Sequence, residues 1–171
     1  LYPHQNLKLN HACVSDKVGT TRFQLELDQS GQSHVSTRQD SGIEVTNLAL
    51  DEYCNEQALD CVDFAKIDLE GHELPALVGW RKYLSEHRVK AIYIEIMPEN
   101  QARYNRATNA PLTFLESLGY ELYLCKKEDF EFGVDASKVT KPYNKSLPLS
   151  HFMANDYPEN FTTDALALAP N

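Results

Sequence analysis

The residue types with the greatest chemical potential are concentrated in one short segment. The segment Lys66-Ile-Asp-Leu-Glu-Gly-His-Glu-Leu74 contains three carboxylates, Asp68, Glu70 and Glu73, and the imidazole of His72. Neighbouring carboxylates raise one another's pKa, and an unperturbed imidazole titrates near neutral pH. The segment is therefore suited to general acid–base chemistry. Through Asp68, Glu70 and His72 it is also suited to binding a metal ion.

A structural role explains the same residues. Asp68 or Glu70 can cap the helix that follows, and Glu73 suits the positive N-terminal end of that helix. Three acids exceed what capping requires, so the pattern leaves both roles open. The same holds for Glu95, which lies within the apolar segment 91–96. A buried carboxylate is unfavourable unless it is hydrogen-bonded or used in function.

These residues follow strands of a predicted α/β fold. Apolar strands alternate with helical periodicity in the second half of the chain, at residues 62–68, 72–87, 91–96, 110–118 and 120–125. This order predicts right-handed βαβ units on a parallel sheet. In such sheets ligands bind beyond the carboxyl ends of the strands. That rule selects the turn 68–72 and the region of Glu95 as the candidate site.

The first half of the chain has shorter strand patterns. Residues 7–14 favour a strand, and residues 21–27 and 43–48 alternate between apolar and polar types. We expect the latter two to pair antiparallel across a polar loop, 28–42. A short helix is expected over 51–57.

The pattern weakens after residue 125. Only residues 149–154 favour another strand there. We therefore expect one partial domain, residues 1–155, followed by a partly disordered tail, residues 156–171.

Composition excludes several classes of function. The net charge of −9 repels a nucleic-acid backbone and an anionic membrane surface. Apolar runs fall far short of the about 18 residues that a membrane span needs. The 4 cysteines form no C-x-x-C pair and have no zinc spacing, so we expect reduced thiols and a cytoplasmic protein.

The segment 66–74, followed by Leu77-Val-Gly79 and Ile94-Glu95, resembles the FkbM-type methyltransferases. The family's pattern is a strand ending K-I-D-V-E-G-x-E, a helix with L-x-G, and a strand ending in Glu. Upstream, residues 10–19 are similar to its A-x-S-D-x-x-G turn, and residues 45–51 to its V-x-T-x-x-L-D segment.

Gly31-Gln-Ser33 is similar to the family's serine-containing loop between those two pieces. The resemblance covers residues 7–125. It implies the C-terminal part of a Rossmann-like class I methyltransferase fold, with a mostly parallel sheet. Residues 149–154 would be its antiparallel last strand, and its N-terminal strands would be missing.

The implied activity is transfer of a methyl group from S-adenosylmethionine to a hydroxyl of a sugar, polyketide or other small metabolite. By the same resemblance, His11 and Ala12 would flank the adenine, and Asp68 would lie where cofactor and acceptor meet. Glu70, His72 and Glu95 would face the small-molecule acceptor, with His72 or Glu70 as the base for the hydroxyl proton. No metal ligand is assigned.

The sequence departs from the family at the cofactor-binding loop. Family members hold the methionine end with a glycine-rich loop after the first strand and the ribose with an acid after the second. Neither is found here, because the 7 glycines are isolated. We expect that Leu1 begins partway through the domain, or that this half-domain cannot bind the cofactor alone. A non-catalytic α/β interaction module and a metal-dependent hydrolase using Asp68, Glu70 and His72 are the alternatives.

Overall fold

The computed structural model of the protein describes residues 7–28, 30–38, 40–125, 149–157 and 163–170. The strands within these ranges are β1 (Cys13–Ser15), β2 (Gly19–Gln24), β3 (His34–Val35), β4 (Ile43–Ala49), β5 (Val62–Ile67), β6 (Val89–Ile96), β7 (Glu121–Cys125), β8 (Leu149–Phe152) and β9 (Thr163–Leu168). The helices are α1 (Leu50–Glu56), α2 (Glu73–Val78), α3 (Arg81–Ser85), α4 (Pro98–Arg103) and α5 (Ala110–Ser117).

The strands form two mixed sheets. The first has the order β1-β4-β2-β3, and the second has the order β5-β6-β9-β7-β8. The predicted antiparallel pairing of β2 with β4 is confirmed, as is the parallel pairing of β5 with β6. Apart from β5–β6, only β1–β4 is parallel among the described pairs. The expected mostly parallel sheet is therefore not confirmed, because both sheets are mixed.

The last strand lies elsewhere than predicted. Strand β9 runs antiparallel between β6 and β7, whereas β8 occupies the outer edge. Residues 149–154 are thus not the last strand, and residues 163–168 are part of the sheet rather than a disordered tail. The inward side chains of β9, Ala165 and Ala167, are fully buried. Small side chains give a weak hydrophobic pattern, so the sequence did not indicate this strand. Residues 158–162 and 171 of the expected tail lie outside the described residues.

The helix predicted over 72–87 is two helices, α2 and α3, separated at Gly79 and Trp80. The end of α2 packs against β1 so closely that a Cβ on Gly79 would lie 2.0 Å from the Ser15 carbonyl oxygen. The chain therefore turns at Gly79 instead of continuing as one helix.

A side chain from another element caps the new helix. The Asp51 carboxylate accepts hydrogen bonds from the backbone N–H groups of Lys82 (2.9 Å) and Tyr83 (3.0 Å) at the start of α3. These N–H groups have no partner within the helix, so a carboxylate there stabilises its N-terminus. The tertiary contact of α1 with α3 thus determines where α3 begins.

Two elements fall in segments for which no strand or helix was predicted. Strand β3 lies within the expected loop 28–42, and α4 lies within the polar segment that follows β6. The strand expected over 7–14 is shorter, since β1 begins only at Cys13.

The main core lies on the second sheet, under α2, α3 and α5. Its fully buried aliphatic side chains are Leu77, Leu84, Val89, Ile92, Ile94, Ile96, Leu112, Leu115, Ala154, Ala165 and Ala167. Each large one contributes roughly 1.5–3 kcal/mol by leaving water. Strand β5 is less buried than the centre of this sheet, because it is an edge strand. The side chain of Phe64 on β5 is 58% exposed. Among the residues that the structure describes, no helix has the length and apolar character required to cross a membrane.

Candidate active site

The turn between β5 and α2 has an unusual backbone. Glu70 and Gly71 both adopt left-handed conformations, with φ of 53° and 96°. A non-glycine residue held there costs on the order of 1–3 kcal/mol, and such strain clusters at functional sites. Gly71 also allows a close approach, because a Cβ would lie 2.4 Å from the Asn100 carbonyl oxygen. The turn keeps this shape only if its surroundings hold it.

The side chain of Glu73 stabilises the backbone conformation of this turn. Its Oε1 accepts hydrogen bonds from the backbone N–H groups of Leu69 (3.1 Å) and Gly71 (3.0 Å), one on each side of Glu70. Its Oε2 accepts one from Gln101 Nε2 at 2.5 Å. Glu73 is 2% exposed and Gln101 is fully buried. No side chain caps the α2 N-terminus at His72, so the capping role considered for Asp68 and Glu70 is wrong.

Helix α4 and the residues after it hold the turn from the other side. Asn100 Nδ2 donates to Glu70 Oε2 at 2.6 Å. Arg103 donates to the Glu70 carbonyl (3.2 Å), and Arg106 donates to the Gly71 carbonyl (3.0 Å). No pattern in the sequence indicated these residues. Their short polar segment gave no helical periodicity, and their partners lie about 30 positions away in the chain.

The turn forms one wall of a cavity of about 300 Å³. The opposite wall belongs to the first sheet. The lining residues are Ala12, Cys13, Val14, Phe23, Gly31, Ser33, Val35, Asp68, Leu69, Glu70 and His72.

Four of the predicted site residues therefore meet in one place, namely Ala12, Asp68, Glu70 and His72. The other two lie outside the lining: His11 is exposed, and Glu95 is half-buried near the end of β6.

The pKa of His72 is below the near-neutral value of an unperturbed imidazole. Burial lowers the pKa of His72 to about 4, and the positive charge of Arg106 adds to the effect. Its Nε2 is hydrogen-bonded to Ser15 Oγ at 3.1 Å, and its buried Nδ1 has no partner among the described residues. Tyr104 packs edge-on against the ring at 5.9 Å. His72 is thus a neutral, fixed side chain at pH 7.

This low pKa predicts a pH dependence of stability. The unfolded chain takes up the His72 proton near pH 6.5 and the folded chain only near pH 4. The contribution of neutral His72 to the free energy of unfolding should therefore be fully present above pH 6.5. As the pH drops to 4, the free energy of unfolding should fall by up to about 3 kcal/mol. Urea unfolding across this range measures it.

The matched variants are His72→Gln and His11→Gln. Removing His72 should flatten the profile in this pH window, whereas removing the exposed His11 should leave it unchanged. Equal slopes in both variants would contradict the burial of His72.

The carboxyl groups of Glu70 and Glu95 have pKa values above the usual range for glutamate. Burial raises the pKa of Glu70, and the negative charges of Asp68 and Glu73 raise it further, against the lowering hydrogen bond from Asn100. Burial also raises the pKa of Glu95, with Asp68 and Asp164 adding to it. Glu95 is therefore electrostatically coupled to the turn although it lies outside the cavity lining.

Asp164 was also missed. It is the second residue of β9 and lies opposite Glu95 in the antiparallel register, because β9 brings its amino end to the edge where β5 and β6 end. Tyr93 OH donates a hydrogen bond to Asp164 Oδ2. Lys66 forms an ion pair with Asp68 at 2.5 Å. Within the described ranges, no group of three or more histidine, cysteine, aspartate or glutamate side chains is arranged to hold a metal ion.

The chain belongs to the FkbM methyltransferase family, since residues 3–122 match the methyltransferase FkbM domain. The family resemblance noted on the Lys66–Leu74 segment is thereby confirmed. The match includes the acidic turn, β6 and the strands of the first sheet. No curated protein and no solved structure matches the chain.

Proposed function

We propose that this protein is an S-adenosylmethionine-dependent methyltransferase that methylates a hydroxyl oxygen of a small acceptor such as a sugar or polyketide. The observation that carries the proposal is the cavity at the carboxyl end of β5, where Asp68 and Glu70 face an apolar wall in an FkbM domain. Ligands of open α/β sheets bind at this position.

The cavity residues fit part of such a cofactor. Ala12, Phe23 and Val35 offer an apolar surface for a flat base, and Asp68 offers a carboxylate for hydroxyl or positively charged groups. His11, next to Ala12, would flank the base from outside. When bound, the cofactor supplies an activated methyl group. A volume of about 300 Å³ is at the lower limit for ligand sites, so cofactor and acceptor together need further walls.

We propose that one such wall is a parallel strand, with a glycine-rich turn, that pairs with the outer edge of β5. Strand β5 pairs with β6 on one side and has no strand partner among the described residues on the other. Its side chain Phe64 is 58% exposed, which is unfavourable for an apolar parallel strand. Adding this strand would give the Rossmann-like sheet that the family resemblance implies.

Within this site we assign Glu70 as the base. Asn100 holds one oxygen of its carboxylate, so the second oxygen is left for the acceptor. Its raised pKa favours proton uptake from a hydroxyl. Asp68 orients the acceptor and cofactor, the neutral His72 forms part of the wall, and Glu95 acts through its charge. The enzyme mainly aligns the reactants, because the methyl group is already activated.

The domain, in this proposal, extends through β9 rather than ending at residue 155, since β9 lies between β6 and β7. A reducing, cytoplasmic location agrees with the free thiols of Cys13, Cys54 and Cys61.

The test is a split-domain complementation. Calorimetry should show that the 171-residue chain alone binds S-adenosylmethionine weakly or not at all. Adding a polypeptide that carries the first strands and glycine-rich loop of an FkbM domain should give micromolar binding and methyl transfer to hydroxylated acceptors. Micromolar binding by the chain alone would contradict the strand proposal, and no transfer in the complemented protein would contradict the enzyme proposal.

Phe64→Lys is the matched variant, because a charge on an edge strand opposes pairing. It should abolish complementation without unfolding the chain. Strand pairing without any methyl transfer would favour the alternative, a non-catalytic interaction module. The exposed edge of β5 is the observation that favours that alternative.

A further inference from the structure

The conformation of Glu70 depends on groups outside its own turn. Glu70 and Gly71 are consecutive left-handed residues, and L side chains rarely adopt this region. Helix α2 has only six residues and lacks a side-chain cap, so it cannot impose this shape by itself. The side chain that contacts the backbone on both sides of Glu70 is Glu73.

We propose that Glu73, fixed by Gln101 of α4, is the positioning residue that holds Glu70 in its left-handed conformation with its carboxylate toward the cavity. The proposal rests on the role of Glu70 in the proposed methyl transfer. One carboxylate oxygen binds the N–H groups of Leu69 and Gly71, and the other binds Gln101. The buried pair thereby connects the β5–α2 turn to α4.

The hydrogen bonds of Glu73 do not require its charge. A glutamine at position 73 can accept both backbone hydrogen bonds through Oε1. Its Nε2 can then donate to Gln101 Oε1, which is buried and has no partner among the described residues, once the Gln101 amide turns over. Glu73→Gln therefore keeps the connections, whereas Glu73→Ala removes all of them.

The two variants make the proposal testable without any acceptor. In native-state hydrogen exchange on the full chain, Glu73→Ala should speed exchange of the Leu69 and Gly71 amides about tenfold, the factor for one net hydrogen bond. Glu73→Gln should leave both amides protected. Glu52→Ala, in the first turn of α1, is the matched control and should change neither amide. Protected amides in Glu73→Ala would overturn the proposal.

A titration separates positioning from charge. Glu70 is faced by the charges of Asp68, Glu73 and Arg103, and it also interacts with Glu95. Following the Glu70 carboxyl by ¹³C NMR, we expect its pKa to fall in Glu73→Gln, because one negative neighbour is lost while the geometry stays. An unchanged pKa would show that Glu73 does not lie beside Glu70 as the structure has it.

Activity of the complemented protein gives the final comparison. In Glu73→Ala, kcat should fall by about 10²-fold while the KM for S-adenosylmethionine changes little, because a misplaced base affects the chemical step. Glu73→Gln should restore most of kcat. If Glu73→Ala fails to fold, Gln101→Met offers a second variant that removes one connection and should lower kcat alone. Unchanged kcat in a folded Glu73→Ala or Gln101→Met variant would overturn the positioning role.

If the complemented wild-type protein transfers no methyl group, the proposed function fails while the exchange and titration results still decide how the turn is held. The two failures are therefore distinguishable.

Discussion

Glu70→Gln in the complemented protein should lower turnover by roughly 10²–10⁴-fold, the range for losing a general base. Asp68→Asn should lower it by a similar factor if Asp68 orients the reactants. Glutamine at position 70 still accepts the hydrogen bond from Asn100 Nδ2, so the turn keeps its anchor. The defect should therefore appear in kcat and not in the folding of the chain.

Stability distinguishes this result from a structural defect. Removing one of several clustered negative charges relieves repulsion, so the melting temperature of Glu70→Gln should hold or rise. Thermal melting and methyl transfer are measured on the same preparations. Glu99→Gln, at an exposed position in the first turn of α4, is the matched control and should keep full activity.

Full activity in both Asp68→Asn and Glu70→Gln would contradict the functional role of the turn and leave only a structural one. Loss of activity together with a melting point lowered by many degrees would also count against it. That pattern is expected of residues that build the turn, as Glu73 does, rather than of residues that touch the acceptor.

Periodicity predicted the elements whose side chains are large and alternate clearly. Strand β6 is an example: its inward residues Ile92, Ile94 and Ile96 are fully buried, and the alternation is plain in the sequence. The same signal is missing from β9, whose inward residues are alanines. Its place in the sheet results from pairing with β6 and β7, which no local pattern contains.

In the candidate site, too, local sequence patterns predicted some residues, whereas contacts between distant segments placed the others. The position of Asp68 and Glu70 was predictable, because polar residues after an apolar parallel strand lie at its carboxyl end. The side chains that hold them were not predictable, since Asn100 and Gln101 reach the turn from a different helix. The pKa of His72 was also missed, because burial by neighbours distant in sequence determines it.

Gly79→Ala should destabilise the chain by about 3 kcal/mol or more, at the upper end of the range for overpacking. The new Cβ would lie 2.0 Å from the Ser15 carbonyl oxygen and 3.2 Å from Asp16 Cα. Backbone cannot move aside as a flexible side chain can. Ser15 is also fixed, because β1 pairs with β4 there and its Oγ is bonded to His72. Against a total stability of about 5–15 kcal/mol, this loss would unfold a marginal domain.

Three alanine variants separate contact from backbone strain. Gly79 has an ordinary φ of −68°, so its substitution tests contact alone. Gly119 has a φ of +89° with no atom closer than 3.5 Å to a new Cβ, so Gly119→Ala tests strain and should cost about 1–2 kcal/mol. Gly31 has neither constraint, and Gly31→Ala should be neutral or stabilise slightly, by up to about 1 kcal/mol, by restricting the unfolded chain.

Urea midpoints in the order Gly31→Ala, Gly119→Ala, Gly79→Ala, from highest to lowest, would support the close packing of α2 on β1. A Gly79→Ala midpoint equal to that of Gly31→Ala would show that the two elements are not in contact at this point.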